Sequence, residues 1–142
     1  MTYATRDDLV TAYGQDMVDR LSIRMEDPDG SQTVARALNY SDGLIDAQLS
    51  VKFVLPLPVV PQLLVDVAVD LAIGRMADSP DIATDEIRRR EERARADLKA
   101  MADGRMNLGL PAKGPSDSPQ PVLARIQGGG DRLFTREDLR GL

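Results

Sequence analysis

The sequence changes character at Pro111, and this change limits how much of the chain can fold around one hydrophobic core. Residues 111–130 contain four prolines and four glycines but only three large aliphatic side chains. Proline and glycine disfavour helix and strand interiors, so this stretch cannot supply the periodic apolar face that a core needs. We therefore expect one compact domain over residues 1–110 and an extended C-terminal arm over residues 111–142.

The end of the arm regains large apolar side chains. Leu133, Phe134 and Leu139 lie within eight residues, and Thr135 precedes two acidic residues as the N-cap of a short helix would. An apolar tip beyond a stretch rich in proline and glycine is typical of a segment that docks on another polypeptide. The predicted docking residues are Arg132, Leu133, Phe134, Thr135, Arg136, Leu139 and Arg140.

The apolar periodicity of the first 110 residues predicts an all-α fold, a small bundle of about four helices. Helical patterns cover residues 6–13, 15–23, 31–51, 61–77 and 84–103, with the two short ones separated by Gly14. The pattern over residues 61–77 is apolar on most sides, so we expect that helix to be central. Its predicted apolar face contains Leu63, Leu64, Val67, Ala68, Leu71 and Met76. Three prolines make residues 53–61 an extended apolar connector. Residues 105–110 are consistent with a short strand or an extended exit.

The residue types present exclude several classes of function. The chain has neither His nor Cys, which removes the common zinc sites, the Ser-His triad and thiolate chemistry. Its net charge is −5, and the basic run Arg88–Arg95 is interleaved with acidic residues, so DNA phosphates would find little attraction. We expect ion pairs along this helix, among them Glu86–Arg90, Glu91–Arg95 and Glu92–Arg93. We find neither a signal-peptide pattern nor a membrane-spanning apolar stretch. The residues predict a protein that is not an enzyme, uses no cofactor and binds no membrane.

Three short patterns resemble ligand sites but have simpler interpretations. Asp27, Asp29 and Gly30 match part of a calcium loop, yet Met25 and Arg36 occupy positions that need oxygen ligands. These residues favour a polar turn instead. A carboxylate site could be formed by Asp66, Asp70 and Asp78, but the third does not share the face of the first two, and we expect no basic or aromatic residue to join them. A phosphate loop is equally poorly supported at the glycine run 128–130, which lacks a following Lys-Ser/Thr and is better interpreted as a hinge.

Four pieces of the sequence, taken in order, carry a resemblance to a known family. They are the opening Tyr3–Leu9, the connector Phe53–Pro58 followed by Val60-Pro61, the charged helix that ends at Gly104 before Leu108-Gly109, and the closing run Arg132–Leu142. In these pieces the chain resembles the small virion proteins of Mu-like phages and prophages. That family is similar to the head–tail connector, or head-completion, proteins of tailed phages. The stretch 111–130 is individual to this chain.

The resemblance implies a structural protein of the virion neck, assembled in the host cytoplasm. Its subunits would form a ring of about twelve copies between the portal protein and a tail or tail-completion protein. DNA would pass through the ring without sequence-specific contacts. The family supplies no catalytic, cofactor or metal-binding residues to transfer to this chain. A ring subunit that sends an arm to its neighbour or to the portal would also gain contact area without a larger core.

A second hypothesis stays open from the residues themselves. A small regulatory or adaptor protein, also without enzymatic activity, could dock the same arm on a single partner. The two functions differ in the size of the complex, because a connector forms a high-order ring and an adaptor does not.

Overall fold

The structure of the chain is a computed structural model that describes residues 1–78 and 82–114. These residues form five helices, with isolated β-bridges as their only extended pairing. The helices are α1 (Arg6–Tyr13), α2 (Gln15–Ser22), α3 (Ser31–Leu49), α4 (Gln62–Met76) and α5 (Asp85–Ala102). The predicted all-α bundle is confirmed, and the two short helices around Gly14 bring the number of helices to five.

Local capping interactions set the predicted helix boundaries. The Thr5 hydroxyl accepts a hydrogen bond from the Asp8 backbone N–H, and the Asp8 carboxylate accepts one from the Thr5 backbone, which together form a capping box for α1. Gly14 ends α1 at a φ of 84°, a conformation that glycine adopts without strain. Thr84 caps α5 by accepting a hydrogen bond from the Ile87 N–H at 3.3 Å. Each boundary was therefore readable from the sequence alone.

Helix α4 is the centre of the bundle, as its apolar pattern predicts. It contacts all four other helices, and nine of its 15 residues are buried. The buried positions include Leu64, Leu71 and Ile73, which are fully inaccessible to solvent. One predicted core residue is misplaced, because Leu63 lies on the solvent side and is 38% exposed.

Helix α3 presents one apolar stripe to α4 and α5. The buried positions of this stripe are Val34, Ala37, Ser41, Ile45 and Leu49. They recur at three- and four-residue intervals, which places them on one face. The hydroxyl of the buried Ser41 donates to the Leu38 carbonyl at 2.8 Å, so the polar atom is satisfied inside the helix.

The proline-rich connector between α3 and α4 lies against the helices, and some of its side chains pack into the core. Phe53 and Leu57 are buried in the core, and Leu55 packs against it. The connector has no helix, as its three prolines predict. It therefore closes one side of the bundle without adding a secondary-structure element.

The charged face of α5 is solvated and forms ion pairs along the helix. Glu86 pairs with Arg90 at 2.8 Å and Glu91 with Arg95 at 2.7 Å, both at the predicted four-residue spacing. The predicted pair between Glu92 and its neighbour Arg93 is wrong, because adjacent side chains on a helix point in different directions. Arg93 instead approaches Asp97 at 3.9 Å, one turn further on.

Helix α5 ends in a tight turn, and the residues after it do not form the short strand that was one of two expectations. Gly104 has a φ of 77°, and the N–H groups of Arg105 and Met106 both donate to the Ala100 carbonyl. Leu108 and Leu110 pack against the core from this exit segment. The chain thus leaves α5 as an extended exit that remains in contact with the bundle.

Candidate interaction surfaces

The residues predicted to dock on a partner cannot be located in this structure. Arg132, Leu133, Phe134, Thr135, Arg136, Leu139 and Arg140 all lie outside the described residues, as does the glycine run 128–130. Their role and the domain boundary after residue 110 stay predictions. What the structure does show is where the arm starts and which surfaces surround that point.

The first residues of the arm are attached to the connector. Ala112 forms an isolated antiparallel bridge with Phe53, and the Lys113 N–H donates to the Lys52 carbonyl at 2.8 Å. The Lys113 ammonium donates to the Ser50 carbonyl at 2.7 Å. These bonds join residues 111–114 to the end of α3 and the start of the connector. The rest of the arm therefore starts from this side of the bundle.

The segment that runs from the end of α3 through the connector exposes apolar side chains. Val51, Val54 and Val59 are 78%, 57% and 66% exposed, and we call these three residues the connector patch. Prolines at positions 56, 58 and 61 restrict the backbone that carries it, so little conformational entropy would be lost when a partner covers it. Exposed apolar side chains grouped on a restricted backbone are typical of a protein–protein contact.

Helices α1, α4 and α5 meet at a polar cluster that the sequence did not predict. The Tyr13 hydroxyl donates to the Asp70 carboxylate at 2.7 Å, and the Arg90 guanidinium lies 5.1 Å from the centre of the Tyr13 ring. Burial, followed by the bond to Asp70, raises the pKa of Tyr13 well above its usual range. The phenol therefore stays protonated and serves as a donor that ties α1 to α4.

This cluster corrects the sequence interpretation of the acidic residues of α4. The absence of a basic or aromatic partner for the acidic residues of α4 was expected, and Tyr13 and Arg90 show that this was wrong for Asp70. Asp66 accepts a hydrogen bond from Gln62 and Asp78 lies near Arg75, so the three carboxylates have different partners. Among residues 1–78 and 82–114, no group of three acidic side chains could hold a metal ion.

The partial calcium-loop pattern is a helix-capping turn. The Asp27 carboxylate accepts hydrogen bonds from the Thr33 N–H at 2.6 Å and the Thr33 hydroxyl at 2.8 Å. Burial acts against ionisation, but these bonds outweigh it, so the pKa of Asp27 is lowered from its usual value of 3.8. Asp29 accepts from the Ser31 N–H in the same turn. The carboxylates stabilise the start of α3, as the polar-turn interpretation predicts.

A basic cleft lies between this turn, α3 and the end of α4. Its volume is about 580 Å³, and we call it the arginine cleft after three arginines in its lining. The lining residues are Arg24, Met25, Glu26, Thr33, Arg36, Ala37, Tyr40, Arg75 and Met76. The sequence did not predict this cleft, because its arginines come from three separate elements and form no run. The only local feature of the sequence that could have indicated this cleft is the pair Arg24-Met25, a charged residue next to a large apolar one.

No helix in the described part of the chain combines the length and the apolar character that crossing a membrane requires.

Comparison with protein-family models gives a match over residues 3–124, to the family described as Bacteriophage Mu, Gp36. The matched range begins just before α1, contains all five helices and the connector, and extends past the attached residues 111–114. Residues 111–124 are therefore shared with the family, which corrects the interpretation of 111–130 as individual to this chain, and the closing run Arg132–Leu142 lies outside the match. A search of curated proteins gives no match.

Proposed function

The chain belongs to the family Bacteriophage Mu, Gp36, and from this premise we propose that it is a structural protein of the virion and a head–tail connector subunit. In this function, copies of the chain form a ring between the portal and a tail or tail-completion protein, and DNA passes through the ring. Because it belongs to this family, it is a phage protein. The main support for the proposal is the extent of the family match. The match includes the whole helical body and the first ten residues after Gly114.

The surfaces of the body support an assembly role. The connector patch exposes three valines on a restricted backbone, next to the point where the arm begins. A ring subunit needs two different contact surfaces, because its interface with one neighbour is not the interface with the other. The arm would supply one such surface and the part of the body that receives it the other, while the connector patch would add apolar contact area, and none of these requires a change in the buried core.

The charge distribution supports passage of DNA rather than its capture. The chain carries 23 acidic and 18 basic residues, and the ion pairs of α5 neutralise much of its one basic run. Affinity for the DNA backbone depends on lysine and arginine side chains that are free to replace counterions. A wall with few such groups would let DNA slide. The proposal includes no catalytic residue and no cofactor.

Deletion of residues 131–142 tests the proposal directly. Burying Leu133, Phe134 and Leu139 would contribute roughly 1.5–3 kcal/mol each before ordering costs. Their loss should lower the yield of joined heads and tails at least about tenfold, since each 1.4 kcal/mol is a factor of ten. The truncated chain should keep the helical circular-dichroism spectrum of the full chain. Virions that assemble at the normal yield with this deletion would overturn the proposed role of the arm.

A matched control separates the docking residues from the length of the arm. Replacing Leu133, Phe134 and Leu139 with alanine should reproduce the defect, whereas alanine at Ser116, Ser118 and Gln120 should not. The mass of the complex formed on purified portal distinguishes the two hypotheses, because a ring adds many copies of the chain. A complex with a single copy per partner would support the adaptor function instead.

A further inference from the structure

The arginine cleft has an unusual charge for a protein of this composition. Three arginines line it against one acidic residue, Glu26, although the chain as a whole has a net charge of −5. Arg24 and Arg36 have no ion pair among the described residues, and Arg75 approaches Asp78 at 3.4 Å with both side chains largely exposed. Arg24 and Arg36 therefore give the cleft positive charge that no ion pair within residues 1–78 and 82–114 neutralises.

The guanidinium groups of the cleft are positioned but retain free donors. Arg24 donates to the Met76 carbonyl at 3.0 Å, and Arg36 reaches Gln32 at 3.5 Å. Arg75 lies 5.0 Å from the centre of the Tyr40 ring, within the range of a cation–π interaction that holds the guanidinium over the ring. Each guanidinium has five N–H donors, so most of them remain available for a carboxylate. Positioned arginines with free donors are suited to bidentate recognition of acidic side chains.

Apolar side chains adjoin these donors. Met25 is fully exposed and Ile23, two residues before it, is 52% exposed. The floor of the cleft is formed by Ala37 and Met76, which are buried. Methionine is unbranched and polarizable, so Met25 can adapt its shape to an apolar partner. The cleft thus fits a segment that carries carboxylates and large apolar side chains close together.

The C-terminal arm contains a segment with this combination. Glu137 and Asp138 are adjacent acidic residues, with Phe134 three positions before them and Leu139 directly after. Of the four acidic residues after Gly114, these two are the only ones next to each other. We propose that residues 133–139 of one copy dock in the arginine cleft of a second copy, with Glu137 and Asp138 at the arginines and Phe134 at Met25. This inference rests on the proposed ring and names the surface that receives the arm.

The length of the arm allows this contact. Phe134 lies 20 positions after Gly114. At about 3.3 Å per residue this stretch spans up to about 66 Å when extended. That is about twice the width of a compact domain of about 110 residues, whose radius of gyration is about 13 Å. The segment can therefore reach a neighbouring copy even when it is only partly extended.

The absence of cysteine in the sequence makes a crosslinking experiment specific. The variant with both Glu26→Cys and Asp131→Cys has two thiols, one in the lining of the cleft and one just before the docking segment, and it keeps Met25, Phe134 and the docking acids. Oxidation of assembled particles that carry this variant should give a ladder of covalent multimers. A control with Thr11→Cys and Asp131→Cys places the first thiol at an exposed residue of α1, outside both the cleft and the connector patch, and it should give little or no ladder.

The outcomes distinguish this inference from the proposed function. A band that migrates as a closed single chain would mean that the arm folds back on its own cleft, which overturns docking on a second copy. Particles that contain the chain but give no crosslink would overturn the cleft as the docking site while leaving the connector function intact. Particles that lack the chain, even when it carries no substitution, would overturn both proposals.

Charge reversal provides an independent measurement. Arg36→Glu in the crosslinking variant should lower the yield of multimers at least about fivefold, because a charge-assisted hydrogen bond is replaced by repulsion. Adding Glu137→Arg should restore most of that yield. Arg20→Glu, a reversal at an exposed arginine outside the cleft, is the matched control and should leave the yield unchanged. Equal yields from the Arg36 and Arg20 variants would overturn the role of the cleft.

Discussion

Helices α4 and α5 pack against each other, yet different forces hold them in helical form. Nine of the 15 residues of α4 are buried, compared with four of the 18 residues of α5. Helix α4 contains several β-branched residues, among them Val67, Val69 and Ile73, which have modest helix propensity. Helix α5 consists mainly of Arg, Glu, Ala, Leu and Lys, which are good helix formers.

The difference shows where the stability of each helix comes from. Helix α4 begins at Pro61 with no side-chain cap and few possible ion pairs, so burial among its neighbours must supply its stability. Helix α5 has an N-cap at Thr84, acidic residues in its first turn and ion pairs along its length. Local interactions therefore stabilise α5, and tertiary packing stabilises α4. Substitutions in the two helices should differ accordingly.

The largest expected effect is that of a truncation in the core of α4. Leu71→Ala removes a side chain with no solvent exposure and should lower the free energy of unfolding by about 2–5 kcal/mol. Leu63→Ala on the same helix is the matched control, and it should cost far less because Leu63 is 38% exposed. Urea unfolding followed by circular dichroism measures both. Equal losses would mean that α4 is not stabilised by burial.

An intermediate effect is expected from two glycines that lie on helices packed against each other. A methyl group at Gly43 in α3 would meet nothing within 4 Å, so Gly43→Ala should raise the free energy of unfolding by about 0.5–1 kcal/mol. A methyl group at Gly74 in α4 would lie 2.6 Å from the carboxylate of Glu91 on α5. Gly74→Ala must displace that side chain from Arg95, which offsets the gain in helix propensity.

The two glycine variants can be compared directly, because each adds one methyl group to a helix. Thermal melting should show a higher midpoint for Gly43→Ala than for the unsubstituted chain, and no increase for Gly74→Ala. A similar increase in both would show that Glu91 moves aside without loss, and that the contact between α4 and α5 is loosely packed at this point.

The sequence predicted the features that local interactions determine. The ends of α1 and α5 follow from Thr5, Gly14 and Thr84, whose capping interactions involve residues within four positions. The central place of α4 followed from its apolar residues, because only a helix surrounded by others can bury so many. Local periodicity was less informative at Leu63, where the side chain faces solvent although its neighbour Leu64 is buried.

The sequence did not predict the features that distant residues form together. Tyr13 and Asp70 are 57 positions apart, and no local pattern marks them as hydrogen-bonded partners. The arginine cleft combines residues from the turn after α2, from α3 and from the end of α4 for the same reason. Their charges were visible individually, but their proximity depends on how the helices cross. Neither surface could be assigned before the packing was known.

The smallest expected effect lies on the exposed face of α5. Arg95 donates to the Glu91 carboxylate at 2.7 Å and to the Tyr40 hydroxyl at 3.1 Å, with its side chain 44% exposed. Because water and salt screen such a pair, Arg95→Gln should lower the free energy of unfolding by less than about 1 kcal/mol. Most of that loss should disappear in about 1 M salt, where the Debye length is about 3 Å. Arg88→Gln is the control, since Arg88 is exposed and forms no ion pair within the described ranges. If Arg95→Gln destabilised the chain as much as Leu71→Ala, ion pairs rather than local propensity and caps would be the main support of α5.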